Sequence, residues 1–318
     1  MHQINRSIRI AGTGSFVPPR IVPNSELVGR VGSSEAWVLD NLGIRERRVV
    51  AEGVLTSDLA TAAAQNALKS AGLRPNDVDV IIVATATPDR SAPSTACIVQ
   101  HKLGITNQCP AFDLSAVCSG FLYGMSVGSQ FIQSGVYKNV LVIGADTFST
   151  ITDWNRRDCV FFGDGAGAAI LQRTEDSDGF FCFELFADGS GQDHFTVFPG
   201  DDYFTMNGKA VYSTGTTVLP ATILDLLRRH DLSPKDIDIL IPHQPSVRVL
   251  TKTAEILGIP VEKVAMNMDR FANTAGATVP LLLDETVRAG RIADGDLVAF
   301  AAVGSGWTWG AALYKWRS

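Results

Sequence analysis

The sequence predicts an α/β protein of stacked sheets and helices, assembled from two similar halves. Three observations carry that prediction. Short strands rich in Val and Ile, such as Val78 to Thr85 and Asn139 to Gly144, read as continuous apolar runs, the pattern of strands buried on both faces. Helical stretches alternate with them, which calls for helices layered on the sheets. The order of units then recurs, since 67–88 (ALKSAGLRPNDVDVIIVATATP) and 226–247 (LLRRHDLSPKDIDILIPHQPSV) lie 159 residues apart. Each reads as a helix end, a turn with proline, an acidic pair and an apolar strand.

The remaining units follow in order. VQHKLGI (99–105) matches TAEILGI (253–259), and QFIQSG (130–135) matches DETVRAG (284–290) at an offset near 155 residues. VLVIGAD (140–146) matches LVAFAAV (297–303), and GDGAGAAIL (163–171) matches GWTWGAALY (306–314). Generic α/β units share composition, but here turn and glycine positions recur in sequence. The 318 residues fit about two units of roughly 150 residues, and a long-period duplication makes such units halves of one body. The seam is placed within 174–180, dividing the chain into 1–175 and 176–318.

Composition removes several function classes. With 46% hydrophobic and 19% charged residues the chain is neither disordered nor of low complexity. Its 27 basic and 33 acidic side chains leave a net charge of -6, so no global positive field attracts nucleic acid or an anionic membrane. An anionic ligand needs a local basic patch. The five cysteines are odd in number and lack any C-x-x-C pair, which indicates neither a disulfide framework nor a zinc site. MHQINRSIRIAG carries no secretory pattern, and no run approaches the roughly 18 apolar residues of a span. A reducing cytoplasm is the expected compartment.

Cys118, in AFDLSAVCSGFLYGMSVGSQFIQSG, falls where a long helix ending at Gly135 begins. Unpaired amides and the macrodipole there favour an anion, so a lowered thiol pKa and a nucleophilic thiolate are expected. A buried structural cysteine fits the same neighbours. His243 follows the apolar strand IDILIP, at the strand end where α/β sheets bind ligands; a satisfied structural histidine is the alternative. Asn273, in DRFANTAGATVPLLLDE, stands one repeat after Cys118, and reads as a site residue or as an N-cap. VGSGWTWGAAL (303–313) offers close backbone approach, either as an oxyanion hole or as a tight turn. Gly12 and Gly14 lack the third glycine of a dinucleotide fingerprint, and FGDGAGA lacks the Lys-Ser/Thr of a P-loop.

DLSAVCSGF, FGDGAGAAIL, IPHQPSVRVL, MDRFANTAGATVP and GSGWTWGAAL occur in an order and spacing that resemble the β-ketoacyl-acyl-carrier-protein synthase III family of the thiolase superfamily. The similarity runs from about residue 8 to residue 316. It implies a thiolase-like five-layer αβαβα fold and a catalytic Cys118, His243 and Asn273. It further implies an acyltransferase that condenses an acyl-CoA primer with malonyl thioester through an acyl-Cys118 enzyme, initiating fatty acid synthesis, with the Cys118 and Ser305 amides as oxyanion hole. No resident cofactor or metal is implied. Elongating synthases use two histidines, and thiolases place a second cysteine in the C-terminal half, where none follows Cys182 here. A cysteine hydrolase would share Cys, His and Asn but not these motifs.

By the same resemblance Trp37 and Arg156 flank the CoA adenine and Arg248 stands at the tunnel mouth facing the carrier protein. Asn41, Ser213, Ser246 and Glu255-Ile256 replace residues that are commonly basic or Asn, which weakens attraction to an acidic acyl-carrier protein. Ala92 stands where a large aromatic is typical, contributed across a homodimer, while Phe148 and Phe162 remain as walls; primers longer than acetyl are therefore expected. Val303 and Ser305 replace Phe and Gly, as in relatives from secondary metabolism. A synthase-III-like enzyme of alkylquinolone or polyketide type, with another donor or nucleophile, is the alternative.

Overall fold

The computed structural model describes residues 8–174, 180–198 and 200–317. The first half runs β1 (Ile8–Phe16), β2 (Arg20–Pro23), α1 (Glu35–Leu42), β3 (Glu46–Val49), α2 (Thr56–Ala71), β4 (Val80–Ala84), α3 (Thr95–Lys102), β5 (Ala111–Leu114), α4 (Gly120–Gln133), β6 (Asn139–Thr147) and β7 (Asp164–Arg173). The second runs β8 (Phe181–Ala187), β9 (Phe195–Thr196), β10 (Thr205–Met206), α5 (Gly208–Arg229), β11 (Ile239–Pro242), α6 (Val247–Leu257), α7 (Met268–Phe271), α8 (Thr278–Arg288), β12 (Leu297–Gly304) and β13 (Thr308–Lys315). The expected seam at 175/176 lies outside the described residues.

Two sheets repeat one plan. The first is ordered β1-β7-β6-β4-β5, with β4 parallel to β5 and β6 and with β7 antiparallel to its neighbours. The second is ordered β11-β12-β13-β8, again with the β11 and β12 pair parallel and the rest antiparallel. Thus β8, β13, β12 and β11 take the places of β1, β7, β6 and β4. The counterpart of β5 is reduced to one parallel bridge, Leu240 to Val264.

Strand alternation builds the layers. Val140 and Val142 of β6 face a central core shared with Val298, Phe300 and Ala302 of β12, and this core encloses α4 and α8. Leu141 and Ile143 face the other way, onto α2 and α3, as Ala299 and Ala301 face α5 and α6. The result is helix, sheet, helix, sheet, helix. Each fully buried Val, Leu or Ile contributes roughly 1.5–3 kcal/mol, so these three clusters dominate folding.

The central helix α4 reaches the sheet through a stripe of glycines. A Cβ on Gly124 would stand 2.8 Å from Val142 Cγ1, and one on Gly128 3.0 Å from Val140 Cγ1. That close approach brings the start of α4, and with it Cys118, to the C-terminal ends of the parallel strands. Expected strand Val78 to Thr85 is shorter at both ends, whereas β6 extends to Thr147 because β7 continues to pair with it through Asp164.

Candidate active site

Cys118 sits in a 3-10 turn (Val117–Ser119) between β5 and α4. Val117 before it has φ +46°, a left-handed conformation costly for a β-branched residue. Ala272, which precedes Asn273, has φ +58°. The two halves therefore strain the backbone at matched places, one residue before each candidate. The Ser119 and Thr308 hydroxyls lie 2.8 Å apart, and both reach the Ala116 carbonyl, at 2.8 and 3.1 Å. These contacts join the cysteine turn to the glycine-rich turn after β12.

His243 continues β11, its amide donating to the Ala301 carbonyl at 2.8 Å, and only 2% of the residue is exposed. Its Nδ1 is buried with no hydrogen-bond partner among the described residues. Asn273 is bridged to Phe162, its amide donating to Phe161 O and its carbonyl accepting from Gly163 N, each at 3.0 Å. Its Oδ1 accepts from Ala275 N at 2.8 Å, which leaves Nδ2 for the cavity. The N-cap of α8 is Ala277, so the plain N-cap alternative for Asn273 does not hold.

One cavity of about 1220 Å³ brings Cys118, His243, Asn273, Val303 and Ser305 together with Phe162, and runs out to Trp37, Arg156 and Arg248. Two expected pocket residues are not on its lining. Phe148 is fully buried behind Phe162, stacked on it at 4.9 Å, so it supports the wall rather than forming it. Ala92 is exposed on this chain's surface, in the loop before α3.

Electrostatics run against the expected thiolate. Burial pushes the Cys118 thiol well above the ordinary range, and the Asp146 carboxylate pushes it further. The amides of α4 begin two residues later and do not offset that desolvation. Burial lowers His243 to about 3, so its imidazole is neutral at neutral pH. Both shifts favour the uncharged forms, thiol and imidazole.

Asp146, at the end of β6, was no candidate from the sequence, although an acidic residue closing an apolar strand is itself a signal. It accepts from Ala86 N at 2.7 Å, Thr85 Oγ1 at 3.1 Å and Thr87 Oγ1 at 3.0 Å, and from Gly276 N at 2.7 Å. It thereby ties the first half to the turn after Asn273. Burial raises it to about 6, against those hydrogen bonds. Phe195, Met206, Lys209 and Arg157 also line the cavity without a sequence signal.

At the mouth, Arg157 rather than Arg156 covers Trp37, with its guanidinium carbon 4.2 Å from the ring centroid. Arg156 turns inward, pairing with Asp158 and donating to Phe204 O at 2.8 Å. Ser246 caps α6 by accepting from Val249 N, and Asn41 donates to Trp37 O at 2.8 Å, so both uncharged replacements serve helix structure. Among the described residues no cluster of metal-ligating side chains occurs, and no helix is long and apolar enough to cross a membrane.

Two family models match, 3-oxoacyl-[acyl-carrier-protein] synthase III over residues 112–189 and its C-terminal part over residues 227–316. A β-ketoacyl-[acyl-carrier-protein] synthase III from Thiobacillus denitrificans is 44% identical over 97% of this chain and 99% of its own. The solved 3-oxoacyl-[acyl-carrier-protein] synthase III of Aquifex aeolicus has TM-score 0.94 and 38% identity, covering 97% of this chain and all of that one. The priming β-ketosynthase of the R1128 polyketide pathway has TM-score 0.91 and 30% identity over 98% of this chain and 97% of its own. With near full-length identity, a shared thiolase-like fold and motifs that converge on one cavity, the chain belongs to the β-ketoacyl-[acyl-carrier-protein] synthase III family.

Proposed function

We infer that this acyltransferase condenses an acyl-CoA primer with malonyl-acyl-carrier protein, the step that initiates fatty acid synthesis. The observation that carries the reading is the convergence of Cys118, His243 and Asn273 on one cavity, beside a chamber of phenylalanines. Sulfur of Cys118 attacks the acyl carbonyl while its proton passes to neutral His243. The C–S bond to CoA breaks, and that proton leaves with it as CoA–SH. The Cys118 and Ser305 amides hold the tetrahedral oxyanion.

The malonyl thioester then occupies the emptied tunnel. Its C–C bond to the carboxylate breaks, CO2 departs, and the electron pair remains as an enolate whose oxygen accepts hydrogen bonds from His243 and from Asn273 Nδ2. A neutral imidazole suits a donor that must not protonate the carbanion. The enolate carbon attacks the acyl-enzyme carbonyl, the C–S bond breaks, and the thiolate of Cys118 leaves and takes one proton from solvent, which replaces the proton lost with CoA–SH. Charge is stabilised by hydrogen bonds throughout, so the reading needs no resident cofactor.

Trp37 with Arg157 forms the platform for the purine, and Lys209 and Arg248 supply positive charge at the mouth for phosphates or a carrier protein. A homodimer in a reducing cytoplasm completes the proposal. One feature supports the dimer: among the described residues β5 is a sheet edge with an unpaired side. Asp113 of β5 accepts from Thr95 N and Ala96 N, which sets the Ala92 loop against that edge, where a partner's cavity would receive it.

The test is intact-protein mass after exposure to an acyl-CoA panel, followed by malonyl-carrier protein or malonyl-CoA. The expected result is acyl transfer to Cys118, CO2 release and return to the free mass. Acylation retained without CO2 release would favour the second reading, a synthase-III-like acyltransferase of secondary metabolism that uses another donor or nucleophile; the 30% identity to the R1128 ketosynthase supports a place in secondary metabolism.

A further inference from the structure

We infer that the β9–β10 hairpin is the wall that limits acyl-chain length, and that the Ser305 hydroxyl and Arg156 are the positioning residues that hold it over the cysteine. This rests on the acyl-enzyme reading above. The hairpin has strands of two residues each, with Thr196 opposite Thr205 and Phe195 opposite Met206, extended by Asn207 N donating to His194 O at 2.8 Å. A ladder that short does not hold itself together in water. Its place is set by attachments to three other parts of the chain.

Ser305, in the turn after β12, donates from Oγ to Phe195 O at 2.5 Å. Arg156, in the segment before β7, donates to Phe204 O at 2.8 Å and lies 5.7 Å from the centroid of the Phe204 ring. Phe204 N donates to Ile151 O at 2.9 Å. These bonds press two rings inward. Phe195 and Phe204 stack at 5.2 Å, Phe204 meets Phe162 edge-on at 5.0 Å, and Phe162 stacks on Phe148. Phe162, Phe195 and Met206 line the cavity with Cys118, so an acyl chain growing away from the sulfur meets this wall.

Phe204, next to β10, is buried, whereas Phe198 is 57% exposed and Tyr203 45%. Removing a side-chain anchor therefore frees the exposed part of the hairpin and loosens the packing of Phe195 and Phe204 on Phe162. Arg156, expected at the adenine, does this work from inside the cavity, and the hydroxyl that replaces the usual glycine at position 305 is the second anchor. Both effects act on the acyl end of the donor. The CoA end is common to every acyl-CoA, so a ratio between chain lengths cancels any change in its binding.

The experiment compares the protein with its Ser305→Ala and Arg156→Met variants across acyl-CoAs from acetyl to dodecanoyl. Acylation rates at Cys118 are read by intact mass, and amide exchange over 193–207 is measured in parallel. Loss of one anchoring hydrogen bond should raise the long-to-short rate ratio about 10-fold and speed exchange in the hairpin. Ser305→Thr, which keeps a hydroxyl, should restore the original ratio. An even loss of rate across chain lengths, or unchanged hairpin exchange, would overturn the inference. A parent protein that is never acylated at Cys118 would overturn the condensing reading, and this inference with it.

Discussion

Replacing Gly304 by Ala tests whether the oxyanion hole is built as described. A Cβ at that position would stand 2.8 Å from Ala116 O, 3.0 Å from Cys118 N and 3.1 Å from Ser119 N. All three are backbone atoms of the nucleophile turn, so no flexible side chain can swing aside. Ordinary contact needs roughly 3.5 Å or more, so the two turns must separate by about half an ångström. Oxyanion donors act within about 2.7–3.1 Å, and loss of one costs on the order of 100- to 1000-fold in kcat. Overpacking alone costs about 1–3 kcal/mol of stability, which leaves the protein folded. Steady-state condensation kinetics and a thermal melt on Gly304→Ala decide the matter, with Gly29→Ala, where a Cβ meets nothing within 4 Å, as control. A folded Gly304→Ala protein with kcat within about threefold of the parent would refute the reasoning, because a donor loss of that size could not hide.

The buried charges supply two more predictions. Asp146→Asn turns an acceptor facing Gly276 N into a donor facing a donor, and should cost about 2–4 kcal/mol in chemical denaturation while making Cys118 alkylate faster, since the carboxylate raises that thiol. Unchanged stability, or slower alkylation, would count against the assigned role. His243 is lowered to about 3 in the fold, so its contribution is fully present above its unfolded value near 6.5 and is lost as pH falls toward 3. Stability of the parent relative to His243→Gln should therefore drop by about 2–3 kcal/mol between pH 6.5 and 4.5, at about 1.4 kcal/mol per unit. A flat difference across that range would mean the imidazole is not buried neutral.

Much of the site was legible because its chemistry lies beside local structural signals. Cys118 before α4, His243 after β11 and Asn273 one repeat beyond the cysteine are each marked by a strand end or a helix start, but each mark also fits a structural role, and it was the family resemblance that singled the three out. The thiol's acidity was not legible. A helix start predicts an anion, but depth of burial and the approach of Asp146 decide the sign, and both depend on the second half of the chain. Arg156 and Arg157 are adjacent and chemically alike, and nothing local says which turns outward to Trp37. Phe195 and Phe204 lie in a stretch without regular period, so their joint role appears only when Ser305 and Arg156 draw the hairpin in.

By itself the sequence determined the layered α/β class and the repeated order of units, which follow from hydrophobic period and turn chemistry, while the acyl chemistry of Cys118, His243 and Asn273 was implied by resemblance to a known family. Only the tertiary structure decided how two sheets of matched order enclose α4 and α8 and so bring strand ends from both halves to one cavity. It also decided which side chains are desolvated there. Distance and burial between residues more than a hundred positions apart are set by packing, and packing is a property of the whole chain rather than of any segment.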